Sequence, residues 1–221
     1  MSYTINPDPG RGRGSGRVAL IALGVVAVLA LVAVAYLAGR GPGHDGQSAS
    51  PGFTLPADRL SWSMVGGQPV PGSTTHGPAH TADGLAAGFS HDELGAALAA
   101  INISYRLTND VGPVVYESTA RQQCYGDINT LITQIRASPT SNSASSSTEL
   151  YYKVISGDPT GDLVLVSIAA KTPQSAVAGG YGSFQRTLRW ADGDWRLQVP
   201  VAPAQIVADV SSYHFLGRPD V

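Results

Sequence analysis

Residues 183–201 read SFQRTLRW, ADGD and WRLQVPV in succession, two alternating apolar runs joined at Asp192-Gly193. Asp-Gly is the preferred pair for a two-residue type I′ turn, whose twist matches that of the strands it joins. With Asp192 and Gly193 as the turn, Ala191 faces Asp194 and Trp190 faces Trp195. The same register sets Leu188 against Leu197, Arg186 against Val199 and Phe184 against Val201. One face of the hairpin is then apolar save for Arg186. A slip of one residue would turn every one of these side chains to the other face, so burial specifies the register. The tryptophan pair adds about 0.5–1 kcal/mol beyond area burial.

Moving outward, Leu150–Ile155 and Leu163–Ala170 read as two further strands, parted by the turn Gly157-Asp158-Pro159-Thr160-Gly161. Residues 172–182 read as a glycine-containing loop, and Ile206 to Leu216 as a closing helix or packed tail. Pro200 and Pro203 end the last strand or place it at an edge, because proline cannot donate to a ladder. Before the strands the period changes from two to that of a helix. Ser90-His91-Asp92-Glu93 has the pattern of a capping box, and Leu94, Ala97, Leu98, Ile101 and Tyr105 follow at helical spacing. Asn109-Asp110 and Gly112 end that helix. Pro113 suits the first position of a second one, running to about Cys124. Asp127 caps a third, in which Ile128, Leu131, Ile132 and Ile135 share one stripe. Residues 138–148 are a flexible polar loop, SPTSNSASSST. The expected domain is α+β, about three helices packed on a curved antiparallel sheet.

At the other end of the chain, Val18 to Ala38 is an uninterrupted apolar run of 21 residues without a charge. As a helix it spans about 31 Å, the thickness of a bilayer's hydrocarbon core. Arg11, Arg13 and Arg17 precede it and only Arg40 follows closely, so the positive-inside rule places the tail in the cytoplasm. The rival reading is a cleaved signal peptide, with small residues at Ala33-Val34-Ala35 and Ala38-Gly39 to receive a peptidase. Signal cores are shorter, about 7–15 residues, which favours a retained anchor. The expected plan is a cytoplasmic tail (1–17), a transmembrane helix (18–38), a linker (39–60) and an extracytoplasmic domain (61–221). Within its proline-punctuated start, Trp62 and Met64 are the expected anchors onto the domain.

Charge narrows the partners. Three of the 14 basic residues lie in the tail, leaving 11 against 15 acids in the remainder. That mildly acidic balance, with Lys153 and Lys171 the only lysines, argues against the outer domain gripping nucleic acid. Cys124 is the single cysteine, so no internal disulfide forms and the thiol reads as a small buried hydrophobe. Asn102-Ile103-Ser104 is a formal glycosylation sequon inside a predicted helix, and reads as chance. His76 and His80 have the spacing of a helical metal pair, but Gly77-Pro78 between them opposes a helix and no third ligand is evident.

Catalytic motifs are missing: no G-x-S-x-G, P-loop, H-E-x-x-H or C-x-x-C occurs. Gly179-Gly180-Tyr181-Gly182 lacks the lysine of a phosphate cradle and reads as loop. No catalytic, cofactor-binding or metal-ligating residue is therefore assigned, no cofactor is expected, and the chain is not expected to be an enzyme. Arg186 is expected either to pair with an acid or to reach for the rim. Tyr105, Tyr116, Asp127 and Arg186 are the candidates to test for a ligand cavity.

Trp62, Val70-Pro71-Gly72-Ser73, Gly77-Pro78, the stretch AGFSHDELGAALAAINISYR (87–106) and the late DGDWRLQVPV together resemble single-pass proteins of actinobacterial conjugative elements. Those proteins are similar in plan to the bitopic assembly subunits of type IV secretion systems. The resemblance covers roughly residues 60–200. It implies an outer domain of the nuclear-transport-factor-two-like fold, with no catalytic residues to carry over. It also implies a structural role in a conjugal transfer or secretion apparatus. Partners would be other membrane subunits of the channel, or a second copy. Two alternatives remain: a small-ligand-binding or enzymatic cone-fold domain, and an exported protein released by signal cleavage.

Overall fold

Asp192 has φ of +54° and Gly193 of +79°, the left-handed pair a type I′ turn requires, and the strands on either side pair as their alternation demands. In the computed structural model, which describes residues 60–140 and 149–219, the chain order begins with a hairpin of β1 (Ser61–Val65) and β2 (Gln68–Gly72). Helix α1 (Glu93–Arg106), a 3₁₀ turn (Asn109–Val111), α2 (Pro113–Gln123), β3 (Cys124–Gly126) and α3 (Ile128–Ala137) follow. Then come β4 (Glu149–Gly157), β5 (Leu163–Lys171), the short α4 (Pro173–Val177), β6 (Tyr181–Ala191) and β7 (Asp194–Val199). Two short strands, β8 (Gln205–Val207) and β9 (His214–Gly217), complete the described chain. The apolar run 18–38, the tail 1–17, residues 141–148 of the polar loop and all of the linker but Leu60 lie outside the described residues. Among the described residues no helix is long and apolar enough to cross a membrane.

The main sheet runs β3-β7-β6-β5-β4-β9, with β8 beside β6. It is mixed, which corrects the expectation of an antiparallel sheet: β3 pairs with β7 in parallel, Cys124 opposite Leu197. The reason is topological, since β3 is only three residues between two helices and docks where β7 would otherwise be an open edge.

The β6–β7 register is as expected from Ala191–Asp194 to Leu188–Leu197, and there it stops. Arg186 and Phe184 do not pair with Val199 and Val201. Beyond Val199 comes Pro200, which has no N–H to give. The freed edge of β6 is taken by β8 instead, Tyr181 opposite Val207 and Ser183 opposite Gln205. The segment read as a helix or tail after Ile206 is therefore strand at both ends, and β9 closes the far edge against β4. The predicted loop 172–182 holds α4, whose Thr172 and Ser175 form a reciprocal capping box. Within it, Tyr181 and Gly182 already belong to β6.

Helix α1 begins at Glu93, not Ser90. Asp92 is the N-cap, its Oδ1 accepting from the Gly95 amide at 2.7 Å. The Ser90 side chain is engaged elsewhere, with His76. From Leu94 to Ile103 every residue is buried, more than the predicted stripe, because alanines let neighbours approach on all sides. The sheet covers one side with Leu150, Val164, Val166, Ile168, Leu188 and Leu197, all at 0% exposure. The β1–β2 hairpin packs on the other. Trp62 joins the core as expected and lies against Gly217 of β9, while Met64 points outward at 63% exposure and anchors nothing. Helices α2 and α3 start where the sequence places them, with Pro113 in the first turn and Asp127 accepting from the Thr130 amide.

Candidate functional site

Strand alternation sends Phe184, Arg186 and Leu188 of β6 to the side of α1, opposite Ile168, Val166 and Val164 of β5. Arg186 is thus a cation in an apolar layer, 7% exposed. Its Nε donates to Ser104 Oγ at 2.9 Å, in the last turn of α1. Its Nη1 donates to the carbonyls of Gln185 at 2.9 Å and Ala202 at 3.5 Å. The Phe184 ring lies 4.6 Å from the guanidinium carbon. The expected acid partner is not there: among the described residues no carboxylate pairs with Arg186, and its acceptors are all neutral. Burial pushes its pKa down to about 10, opposed by Tyr105, so it stays charged at neutral pH. The negative end of the α1 dipole offsets part of the desolvation cost.

The structure brings together two of the four candidates. Tyr105 lies close enough to Arg186 to influence its charge. Tyr116 is buried on α2 and interacts with Arg136 of α3. Asp127 is the exposed cap of α3, where hydrogen bonds from Thr130 hold its carboxyl below the usual range. Cys124 is buried in β3, and burial pushes its thiol up to about 12, opposed by Arg196. Asn102 is 2% exposed, donating to the carbonyls of Pro71 at 2.9 Å and Leu98 at 3.0 Å, so the sequon is sealed inside the fold. Its Oδ1 accepts from Arg106, which also donates to Gly84 O.

His76 has a different company from the one its sequence spacing suggests. Its Nδ1 lies 3.1 Å from Ser90 Oγ and 2.9 Å from Asp92 Oδ2. The trio of serine, histidine and aspartate invites comparison with a hydrolase relay. A relay needs the hydroxyl and the carboxylate on opposite ring nitrogens, so that one accepts a proton while the other is held. Here both meet the same nitrogen, and the trio is a clasp on the entrance to α1. His80 is held through its backbone opposite Ala87, and its side chain is exposed. Among the described residues no group of three His, Cys, Asp or Glu is placed to hold a metal.

The same entrance is gripped from the tip of β6–β7. Asp194 accepts from the amides of Gly88 at 2.8 Å and Phe89 at 3.2 Å. The Trp195 indole donates to Ser90 O at 2.9 Å. His91 stacks on Trp190 and approaches the carbonyl of Gly161 in the β4–β5 turn at 2.9 Å. These hydrogen-bond partners lie 70 to 106 residues apart in sequence. No spacing rule reports them. The one local hint was a second aspartate, Asp194, after the turn pair. The sequence landmarks VPGS, Gly77-Pro78, FSHDELG and DGDW therefore meet around one structural junction. On the opposite face of the sheet, both lysines rest on tyrosine rings, Lys153 4.5 Å from the Tyr213 centroid and Lys171 4.3 Å from that of Tyr181.

A protein-family model described as "Domain of unknown function (DUF8175)" matches residues 33–214, from within the apolar run to the start of β9. Neither the curated proteins nor the solved structures gave a match. With well over half of its length matched, from the apolar run through the α+β domain, the chain belongs to the DUF8175 family.

Proposed function

We propose that this protein is a membrane-anchored structural subunit of a conjugal transfer or type IV secretion-like apparatus. Its domain acts outside the cytoplasmic membrane through protein–protein contacts and does no catalysis. The observation that carries the reading is the uncharged 21-residue run Val18–Ala38, with arginines on its N-terminal side and a linker leading to a folded domain. The packing of that domain supports a scaffold role: α1 fills the inner face of the sheet, and the polar groups at the α1 entrance are spent on holding the fold together. Helices laid on one face of a sheet are consistent with a nuclear-transport-factor-two-like cone. The mildly acidic remainder of the chain fits contacts with channel subunits or a second copy better than contacts with nucleic acid.

The test is fractionation of cells expressing the tagged full chain, followed by alkaline extraction and sequencing of the mature N-terminus. Retention in the membrane with residues 1–17 intact, and cross-links to polytopic channel subunits, is the expected result. A mature chain starting near Tyr36 or Gly39 and free in the medium would replace the anchor with export.

A further inference from the structure

Both lysines of the chain and two of its arginines lie on one face of the main sheet, the face turned away from α1. Strand alternation puts them there. Val164, Ile168, Leu188, Trp195 and Leu197 are buried toward α1, so Lys153 of β4, Lys171 of β5, Arg189 of β6 and Arg196 of β7 point the other way. Strands β4 to β7 bear two acids, and both are committed. Glu149 is held by Arg218 at 2.6 Å and accepts from Tyr151 at 2.7 Å, and Asp194 accepts from the amides of Gly88 and Phe89. From the rim, Asp192 meets Arg196 at 3.3 Å, Asp209 lies close enough to Lys153 to feel its charge, and Asp158 and Asp162 sit in the β4–β5 turn. Three of the four cations rest on tyrosine rings of the same face: Lys153 on Tyr213, Lys171 on Tyr181, and Arg189 on Tyr125 at 4.4 Å. Arg189 and Arg196 stand directly opposite each other across β6–β7, an arrangement of like charges that weakens a strand pair. The fold therefore carries a cost for concentrating positive charge here, in a chain whose remainder is mildly acidic. Beside them Leu163, opposite Arg189 on β5, is 54% exposed.

We propose that this face docks on the anionic phospholipid headgroups of the bilayer that holds the chain, an assignment that rests on the anchor proposed above. A sheet face is an extended surface, not a pocket, and it suits a continuous anionic surface better than one small ligand. Lysine and arginine stems laid on tyrosine rings, with an aliphatic side chain at the margin, suit headgroup depth: the rings sit at the interface and the charged tips reach the phosphates. The same contacts oppose single-stranded nucleic acid, whose bases would need the ring faces that the cations already cover. The tether permits the pose. The described chain begins at Leu60, beside the β1–β2 hairpin, across α1 from this face. Hairpin, helix and sheet together are about 30 Å thick. Residues 39–60 can span up to about 75 Å, enough to pass the domain and bring the sheet to the bilayer. A tether of that length keeps the face at high local concentration, so four cations of modest individual worth suffice.

The experiment places the full chain in vesicles of phosphatidylcholine, alone or mixed with phosphatidylglycerol, and reads quenching of a fluorophore by headgroup-labelled lipid. The fluorophore is attached at Gln185→Cys, in the middle of the face, or at Thr133→Cys, on the exposed side of α3, while the buried Cys124 stays unlabelled. Quenching is expected at position 185 and not at 133, only in the vesicles with phosphatidylglycerol, and it should fade as salt rises. Each of Lys153→Gln, Lys171→Gln, Arg189→Gln and Arg196→Gln should lower the docked-to-undocked ratio about fivefold. Equal quenching at the two positions, or equal quenching in the two lipids, would overturn the assignment. So would binding of soluble poly-glutamate to this face with bilayer quenching no greater at 185 than at 133, which would give the face to an acidic protein. If a charge variant does not fold, the lipid and salt comparisons on the chain with its charges intact decide alone. Alkaline extraction of the same vesicles separates the two readings. A chain that stays in the bilayer with position 185 unquenched loses the docking face and keeps the anchor, and a chain that is extracted yet rebinds phosphatidylglycerol vesicles through position 185 loses the anchor and keeps the face.

Discussion

The His91 ring lies face to face on the Trp190 indole, centroids 4.0 Å apart and planes 5° from parallel. Trp195 meets both rings edge-on, at 5.3 Å from His91 and 5.2 Å from Trp190. This three-ring contact joins the tip of the last long hairpin to the turn before α1, so the first and last parts of the described core are one cooperative unit. Replacing His91 by Ala should cost about 1 kcal/mol, the worth of one stacked pair. Trp195→Ala should cost about 3–5 kcal/mol, because it also empties a fully buried site and orphans Ser90 O. Denaturant unfolding followed by tryptophan fluorescence measures both, and equal losses would mean that the rings do not act as described.

Asp92 predicts the acid limb of stability. Burial opposes its charge, but the Gly95 amide, Ser90 and His76 together hold its pKa below the ordinary value. Its charged form therefore stabilises the fold above about pH 4, the ordinary carboxylate range, and that contribution drains away as pH falls through the lower folded value. Unfolding free energy measured from pH 6 to 2 should fall more steeply in the unaltered chain than in Asp92→Asn. Parallel curves would remove Asp92 from the acid response.

Gly95 tests geometry against propensity. Alanine in a helix interior is favoured over glycine by up to about 1 kcal/mol. A Cβ on Gly95, however, would collide with Ser90 O, a carbonyl already held by the Trp195 indole. Gly95→Ala should destabilise by about 1–3 kcal/mol, the usual cost of overpacking. A rise in Tm on this substitution would show that the turn before α1 yields freely.

Asn102 bridges Pro71 O and Arg106 inside the fold. Asn102→Ala should cost about 2–3 kcal/mol by leaving buried donors and acceptors unmet. Mass spectrometry of chain secreted through a glycosylating host should find Asn102 unmodified in folded material. Substantial occupancy there would contradict its burial.

Cys124 should resist alkylation by iodoacetamide at pH 8 in the folded chain and react fully in denaturant. Burial raises its thiol to about 12, against the partial opposition of Arg196, and the thiolate is the reacting species. Rapid native labelling would mean that β3 opens readily from β7.

Local chemistry wrote much of this fold into the sequence. The Asp192-Gly193 turn set the register through Leu188–Leu197, Pro113 and Asp127 started α2 and α3, and alternation placed Arg186 on the side of α1, because each depends on atoms a few residues away. Tertiary structure decided the rest by competition between distant groups. Ser90 is engaged by His76 and Trp195, so Asp92 caps α1 in its place. Pro200 ends one pairing of β6, and β8, from beyond the next loop, supplies another. The acceptors of Arg186 come from α1, from β6 itself and from the chain after β7, and none of them is a carboxylate.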